Sequence, residues 1–309
     1  MTNTDLAIIG GGIAGISAAV YAKRSGLDFI LFESKGVGGQ LFFMETVDNY
    51  IGTKLGTKGR ELAAELAKTL QDLDIEITQE EITKVRVEDK ALALHSENTT
   101  YRAKSAILAT GASFKKLGAP GEEEFLGKGV SYCAVCDGFF FKNKDVAVAG
   151  GGNTALEEAL YLASICRKVY LIHRRNSFRA MEYLRKEVSG KNNIEVIYDS
   201  AIRELKGEQS LQRLIVENLK TKETHTRDVQ GLFVAVGVKP ATEVFRDCVN
   251  LDEGGFIVTD EYLTTSQPFI WACGDCRKRP LRQLITAAAE GAVAALSAYK
   301  YLKGGYISV

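Results

Sequence analysis

Cys133-Ala-Val-Cys136 is a stretch whose residue types can carry covalent chemistry by themselves. The spacing lets two thiols close to a disulfide and reopen, with one thiol pKa depressed. Such a pair supplies both an attacker and a resolver for a disulfide in another molecule. Asp137 follows at once and is a candidate proton donor and acceptor. Half of a zinc site, or two packed cysteines, are the competing readings. A second pair, Cys273-Gly-Asp-Cys276, would complete a four-cysteine zinc site. The two pairs are a whole domain apart, where structural zinc pairs sit within one small module, so no metal is expected. Cys166 and Cys248 read as small buried side chains.

Two glycine fingerprints flank this pair in sequence. Gly10-x-Gly12-x-x-Gly15 lies between an apolar strand and an Ala-rich helix, the context in which it binds a dinucleotide. Gly10 makes the tight turn, Gly12 lets backbone approach a pyrophosphate, and Gly15 lets helix pack on strand. The helix N-terminus offers free N–H groups to phosphate. Glu33 lies 18 residues after Gly15, where a carboxylate can bond ribose hydroxyls. Gly150-x-Gly152-x-x-Ala155 repeats the pattern. There the acid is missing: 18 residues after Ala155 stands His173, followed by Arg174, Arg175 and Arg179. Guanidinium groups would bind the 2′-phosphate that a carboxylate would repel, so the second site should prefer NADP(H). A solvated basic strand end is the bland alternative. Two dinucleotide sites imply electron transfer between nucleotides, the natural pair being bound FAD at the first and mobile NADPH at the second. The acid does not separate FAD from NAD; the pairing of the repeats does.

These residues need elements to hold them. Asp5–Ala19 and Asp145–Ala159 read alike as an acid, a strand, a glycine turn and a helix, with Gly10 and Gly150 140 residues apart. Second strands follow at Asp28–Glu33 and Lys168–His173, and closing strands at Ser105–Gly111 and Val229–Gly237. Short alternating strands lie between: Ile82–Val87, Ala91–Leu94 and Thr100–Ala103 in the first half; Ala201–Leu205, Leu211–Asn218 and Glu223–Arg227 in the second. A last strand, Pro268–Cys273, leads through Gly274-Asp275 to a helix at Leu281–Tyr301. The fold class is α/β: two Rossmann-like three-layer dinucleotide-binding domains with small antiparallel meanders, the second inserted in the first. Residues 1–112 and 243–309 form the discontinuous FAD domain, and 113–242 the NADPH domain with the cysteine pair. Ala109–Ala112 and Val236–Thr242 are the candidate hinges. Glu122-Glu-Glu124 reads as a solvated turn, His95 and His225 as surface residues, and Ala287–Ala295 as a close-packed helix around Gly291.

Composition narrows the class. With 39 basic and 39 acidic side chains the formal charge is zero, which argues against a nucleic-acid or anionic-membrane partner. Six cysteines in 309 residues are too few for a disulfide scaffold. The 30 glycines and 4 prolines suggest tight turns between regular elements. The longest uncharged run, Leu6–Ala22, is shorter than the ~20 residues of a membrane helix, and Asp5 precedes it where a signal peptide has Lys or Arg. A cytoplasmic location is expected.

The chain resembles the low-molecular-weight thioredoxin reductases. The likeness runs in order through Asp5–Gly15, Gly38-Gly39-Gln40-Leu41, Val47–Tyr50, Ala109–Gly111, Gly129–Gly138, Gly150–Ala159, His173–Ala180 and Gly274-Asp275 through Arg282-Gln283 to Gly291. The resemblance implies a homodimer in which electrons pass from NADPH to FAD to the cysteines to thioredoxin. Cys136 would sit against the flavin, Cys133 would attack the partner's disulfide, and Asp137 would be the acid/base. Glu33, Gly39, Gln40, Asn49, Asp275, Arg282 and Gln283 would contact FAD, with Cys276 nearby and silent. Asn153, Thr154, His173, Arg174, Arg175 and Arg179 would line the NADPH site. Rotation of the inserted domain would let nicotinamide and cysteines take turns at the flavin. Ile51 replaces the usual proline, Val135 a common threonine, Trp271 a smaller aromatic, and Ala241 an asparagine whose local hydrogen bond is thereby in doubt. A related flavin disulfide reductase or a thiol oxidase with another partner is the alternative, although an oxidase would not need the arginines. A dinucleotide-sensing protein with a zinc site is the non-enzymatic alternative.

Overall fold

Strands covered on both faces read as unbroken apolar runs, and the buried parts of the central strands do so at Leu6–Ile9, Ala106–Leu108 and Val146–Ala149. In the computed structural model, which describes residues 2–44 and 46–304, the chain forms two compact units: residues 1–113 with 239–309, and residues 114–238.

The first unit opens with β1 (Thr2–Ile9), α1 (Ile13–Arg24), β2 (Phe29–Phe32), α2 (Gly59–Asp72) and β3 (Ile77–Thr78). The meander β4 (Lys84–Glu88) and β5 (Ala91–His95) leads to β6 (Thr100–Leu108) and the short β7 (Ala112–Phe114). After the second unit the chain returns with β17 (Ile270–Ala272) and α6 (Leu284–Lys303). The strand order is β3-β2-β1-β6-β5-β4, with β17 also on β6. β6 is one strand where two are expected, Thr100–Ala103 and Ser105–Gly111, and it ends at Leu108. Its whole length pairs parallel with β1, from Thr2 opposite Tyr101 to Ile9 opposite Leu108. A break would therefore orphan ladder hydrogen bonds. Its first half faces β5 antiparallel and its second half faces β17 parallel.

The helices α1 and α6 cover one face of this sheet through Ala18, Ala22, Ala294, Ala295 and Ala298. Phe245, Cys248, Val249 and Ile257 cover the other, with the meander. α6 begins at Leu284, three residues later than its expected start. Gln283 is its extended N-cap, and its N–H donates to Thr286 Oγ1 at 3.3 Å. Residues 281–283 are thus left outside the helix.

The second unit comprises β8 (Val130–Ser131), α3 (Ala134–Asp137), β9 (Asp145–Gly150), α4 (Asn153–Ala163), β10 (Lys168–Ile172), α5 (Glu182–Ser189) and β11 (Ile194–Ile197). Three antiparallel strands, β12 (Ser200–Gly207), β13 (Leu211–Asn218) and β14 (Thr224–Asp228), precede β15 (Gly231–Ala235). The parallel order is β11-β10-β9-β15-β8. Leu156, Leu162, Leu184 and Val188 of α4 and α5 line one face, and Leu205, Leu214 and Val216 of the meander the other. In both units the first glycine turn leaves the carboxyl end of the strand where the order reverses, the place where open α/β sheets bind ligands.

The chain crosses between units at β7 and at β16 (Val238–Pro240), which pair with each other. Ser113 and residues 239–242, expected in the insert, cluster with the first unit. Their hydrogen bonds explain this. Ser113 Oγ donates to Lys239 O, Ala241 N to Gly111 O at 3.0 Å, and Thr110 Oγ1 to Ala241 O at 2.6 Å. Ala241 is thus anchored through its main chain, without an asparagine side chain.

Gly291 lets α6 approach α1: a Cβ there would stand 2.1 Å from Ala14 O. Gly291→Ala should therefore destabilise the first unit by about 1–3 kcal/mol through overpacking. Urea unfolding followed by tryptophan fluorescence reads this, since Trp271, the single tryptophan, packs in that core.

Candidate functional site

The first glycine turn is built by close approach. A Cβ on Gly15 would fall 1.8 Å from Gly10 O, and one on Gly10, at φ +111°, 2.4 Å from Ala109 O. A Cβ on Gly12 would meet nothing within 4 Å. Gly12 is the N-cap of α1, no side chain caps the helix, and its first turn carries no acid. The α1 N-terminus thus keeps its orphan amides uncapped by any side chain, with open space at Gly12, the arrangement that suits a phosphate.

Glu33, Gly38 and Gly39 lie against this turn, while Gln40 and Asn49 bond elsewhere in the first unit. Glu33 Oε2 accepts the Gly11 N–H at 2.7 Å, while Oε1 accepts those of Lys35 and Gly36 at 2.6 and 3.2 Å. Gly38 N donates to Gly11 O, which lays Gly38 and Gly39 beside Gly12. Gln40 Nε2 donates to Ala112 O, and Asn49 Nδ2 to Gln283 Oε1 at 3.0 Å.

Asp275 follows Gly274, whose added Cβ would touch the Ala14 side chain at 2.9 Å. Burial pushes the Asp275 carboxyl upward, and the charges of Arg279 and Arg282 pull against it. Asp275 Oδ1 has no hydrogen bond, nor do Nε and Nη1 of Arg279 or Nε of Arg282. Arg279 Nη1 lies 3.6 Å from Asp275 and 3.3 Å from Glu290 as a charge pair only. Arg282 stacks over Phe256 at 4.2 Å. Buried polar atoms left unbonded are costly, and a polar ligand would satisfy them. The open turn, the ribose-type acid and these atoms fit an FAD-like group.

The second turn has the same construction. An added Cβ on Gly150 would meet Ala235 O at 2.4 Å and the Ala155 Cβ at 2.6 Å, whereas one on Gly152 would meet nothing. Gly152 caps α4, again with no side-chain cap and no first-turn acid. Asn153 Oδ1 accepts the Met181 N–H at 2.9 Å, and Thr154 is exposed. His173 is buried, lies against Gly151 and Phe178, and has Nε2 3.1 Å from Ser177 O. Burial holds its pKa below the ordinary value, with the charges of Arg175 and Arg174 adding to the fall. It shapes the turn as a neutral ring; it is not one of the cations. Arg174, Arg175 and Arg179 are exposed, and none is ion-paired to a carboxylate among the described residues. Arg179 N donates to Gly151 O at 2.9 Å, which pins that arginine beside the turn. This donor set fits a phosphorylated ribose.

Cys133 and Cys136 form a disulfide in the same unit, with Cα atoms 5.3 Å apart. Cys133 is the N-cap of α3, and Cys136 N donates to its Sγ at 3.2 Å. Ser131 Oγ donates to Asp137 Oδ2 at 2.5 Å and accepts the Cys133 N–H at 3.0 Å. The serine thus links the acid to the backbone of the first cysteine. Cys273 and Cys276 are fully buried and free, and burial raises both thiols, that of Cys276 to about 11. Among the described residues no group of three or more His, Cys, Asp or Glu is arranged to hold a metal ion, and no helix is long and apolar enough to cross a membrane.

Several groups beside the site carry little or no signal in the sequence. Glu122, read as part of a solvated turn, is 2% exposed. It accepts N–H bonds from Leu117 and Gly118 and the hydroxyl of Tyr132, next to Cys133. Only Glu123 and Glu124 are exposed as expected. A run of three acids carries no sign of which one turns inward. Ser131, Gly11, Gly151 and the Arg277–Glu290 pair (2.6 Å) have no motif of their own. Glu158 could have been found, since it lies three residues after Ala155 on the apolar side of its helix.

A family model described as pyridine nucleotide-disulphide oxidoreductase matches residues 4–291. A protein named thioredoxin reductase from Peptoclostridium acidaminophilum is 39% identical over 308 residues, covering 98% of both chains. The crystal structure of thioredoxin reductase from Streptococcus pyogenes MGAS5005 superposes with a TM-score of 0.94 at 37% identity, covering 98% of this chain and 99% of that one. Thioredoxin reductase from Giardia duodenalis gives 0.92 at 36% identity, covering 98% and 100%.

A histidine held neutral by burial stabilises the fold above its unfolded pKa of about 6.5 and ceases to do so as pH falls. The stability difference between wild type and His173→Gln should therefore narrow between pH 7 and pH 5, measured by urea unfolding across that range. A difference constant with pH would contradict this.

Proposed function

This chain belongs to the pyridine nucleotide-disulphide oxidoreductases, and on that premise we propose that it is a thioredoxin reductase, passing electrons from NADPH through FAD and Cys133–Cys136 to the disulfide of thioredoxin. The observation that carries this reading is the Cys133–Cys136 disulfide, in one unit with the arginine-rich glycine turn. Relatives and solved structures named thioredoxin reductase, alike over nearly the whole chain, support it. Residues 1–113 with 239–309 are the FAD domain in this reading, and 114–238 the NADPH domain. Assembly as a homodimer in the cytoplasm rests on the family resemblance.

FAD would be held by the α1 N-terminus and Gly12, by Glu33, by Gly39, Gln40 and Asn49, and by Asp275, Arg282 and Gln283. NADPH would lie on Gly152, Asn153 and Thr154, its 2′-phosphate on Arg174, Arg175 and Arg179. When bound, the two cofactors supply the electron pair that opens the Cys133–Cys136 disulfide to a dithiol.

The protein's own groups then perform the exchange. The Cys133 thiolate attacks one sulfur of the thioredoxin disulfide; a mixed disulfide forms and the other thioredoxin sulfur leaves as a thiolate. The N–H of Cys136, 3.2 Å from Cys133 Sγ, stabilises the attacking thiolate by a charge-assisted hydrogen bond. Cys136 attacks Cys133 in turn, which closes the enzyme disulfide and frees the second thioredoxin sulfur. Asp137, fixed by Ser131, supplies the proton to a leaving thiolate.

Three measurements test the reading. The purified protein should be yellow and oxidise NADPH in the presence of thioredoxin, and Cys136→Ser should abolish turnover. Replacing Arg174 and Arg175 with alanine should raise KM for NADPH tenfold or more, on the order of one lost charge-assisted bond, with kcat and the KM for NADH nearly unchanged. A colourless protein, or turnover indifferent to Cys136→Ser, would overturn the proposal.

A further inference from the structure

α4 serves two ends of the second unit. Its first turn carries the glycine fingerprint, with Ala155 packed under Gly150. Its last turn holds the cysteine segment: a Cβ on Gly138 would meet Tyr161 and Leu162 at 3.0 and 3.1 Å, and Ile165 just past the helix at 3.3 Å. Between the two lies Glu158. Its Oε1 accepts the N–H of Ala134 at 3.3 Å, and its Oε2 is buried without a hydrogen bond. Ala134 is fully buried and is the first residue of α3, so its amide is one of those that a helix leaves orphaned at its N-terminus. A carboxyl on the packed side of a helix is costly unless it satisfies such a group.

We propose that Glu158 is a positioning residue for the redox pair: as the acceptor for the Ala134 amide it holds the α3 turn in which the Cys136 N–H faces Cys133 Sγ. Without that acceptor the buried amide has no partner, the turn loosens, and the Cys133 thiolate loses its donor. Burial pushes the Glu158 carboxyl up to about 7, with the charge of neighbouring Glu157 adding to the rise. The Ala134 N–H bond pulls the other way, favouring the ionised form, and in either form an oxygen of the side chain accepts that N–H. Glutamine, which keeps that oxygen, should therefore stand in for Glu158, and an apolar side chain of similar shape should not.

The inference rests on the proposed function only in taking the cysteine pair as redox-active, and its test needs neither NADPH nor thioredoxin. The full-length protein is reduced with dithiothreitol, freed of reductant and treated with iodoacetamide at pH 7. The Cys133 thiolate displaces iodide, forming a carbon–sulfur bond as the carbon–iodine bond breaks, and mass spectrometry follows the modified peptide. Glu158→Met should slow alkylation of Cys133 about tenfold. Glu158→Gln, and the exposed control Glu157→Gln, should stay within about twofold of wild type. Exchange of the Ala134 amide with deuterium should quicken in Glu158→Met and not in Glu158→Gln. Wild-type reactivity in Glu158→Met, or a Glu158→Gln variant slowed to the same degree, would overturn the proposal. If Glu158→Met does not fold, the rate of Glu158→Gln alone decides.

Discussion

At both glycine turns a carbonyl oxygen occupies the place where a β-carbon would otherwise stand. Gly10 has Ala109 O there, Gly15 has Gly10 O, and Gly150 has Ala235 O. This steric constraint fixes how closely each following helix approaches its sheet, and so where the helix N-terminus opens. The open ends at Gly12 and Gly152 follow from it, as does the stacking of the neighbouring groups: Glu33 on Gly11 and His173 on Gly151. A side chain at the tight positions would push each helix out by the width of a methyl group and move its amides off their target.

The two turns differ in electrostatics while sharing that geometry. In the first, Glu33 ties its carboxylate to three backbone amides. In the second, the equivalent place holds a neutral buried imidazole, and positive charge is carried by exposed guanidiniums beyond it. The same backbone turn is therefore paired with opposite local charge in the two units. The zero net charge of the chain conceals this local contrast.

The cysteine pair depends on the second turn through one helix. The α4 helix carries the fingerprint at its start, Glu158 in its second turn and an apolar bed for Gly138 further on. Ser131, at the end of β8, brings Asp137 and the Cys133 backbone together from the other side. The cysteine pair is thus placed by packing against the helix that follows the second glycine turn, not by a separate module.

Both βαβ repeats, the meanders and the chemistry of the Cys-x-x-Cys segment were legible in the sequence, because each is a local pattern: period-two strands, glycines at set intervals, thiols three residues apart. The contrast between Glu33 and the arginines was legible too, since charge is a property of residue type. Only the tertiary structure decided which polar residues turn inward. Glu122 is buried while Glu123 and Glu124 are not, Asp275 keeps an unbonded buried oxygen, and Glu158 finds an amide 24 residues earlier in the chain. It likewise fused two expected strands into β6, because β1 pairs with its whole length, and drew residues 239–242 to the first unit through bonds to Thr110 and Gly111. The physical reason is common to all of these. A buried polar group is set by a partner distant in sequence, and single-chain periodicity holds no record of that partner.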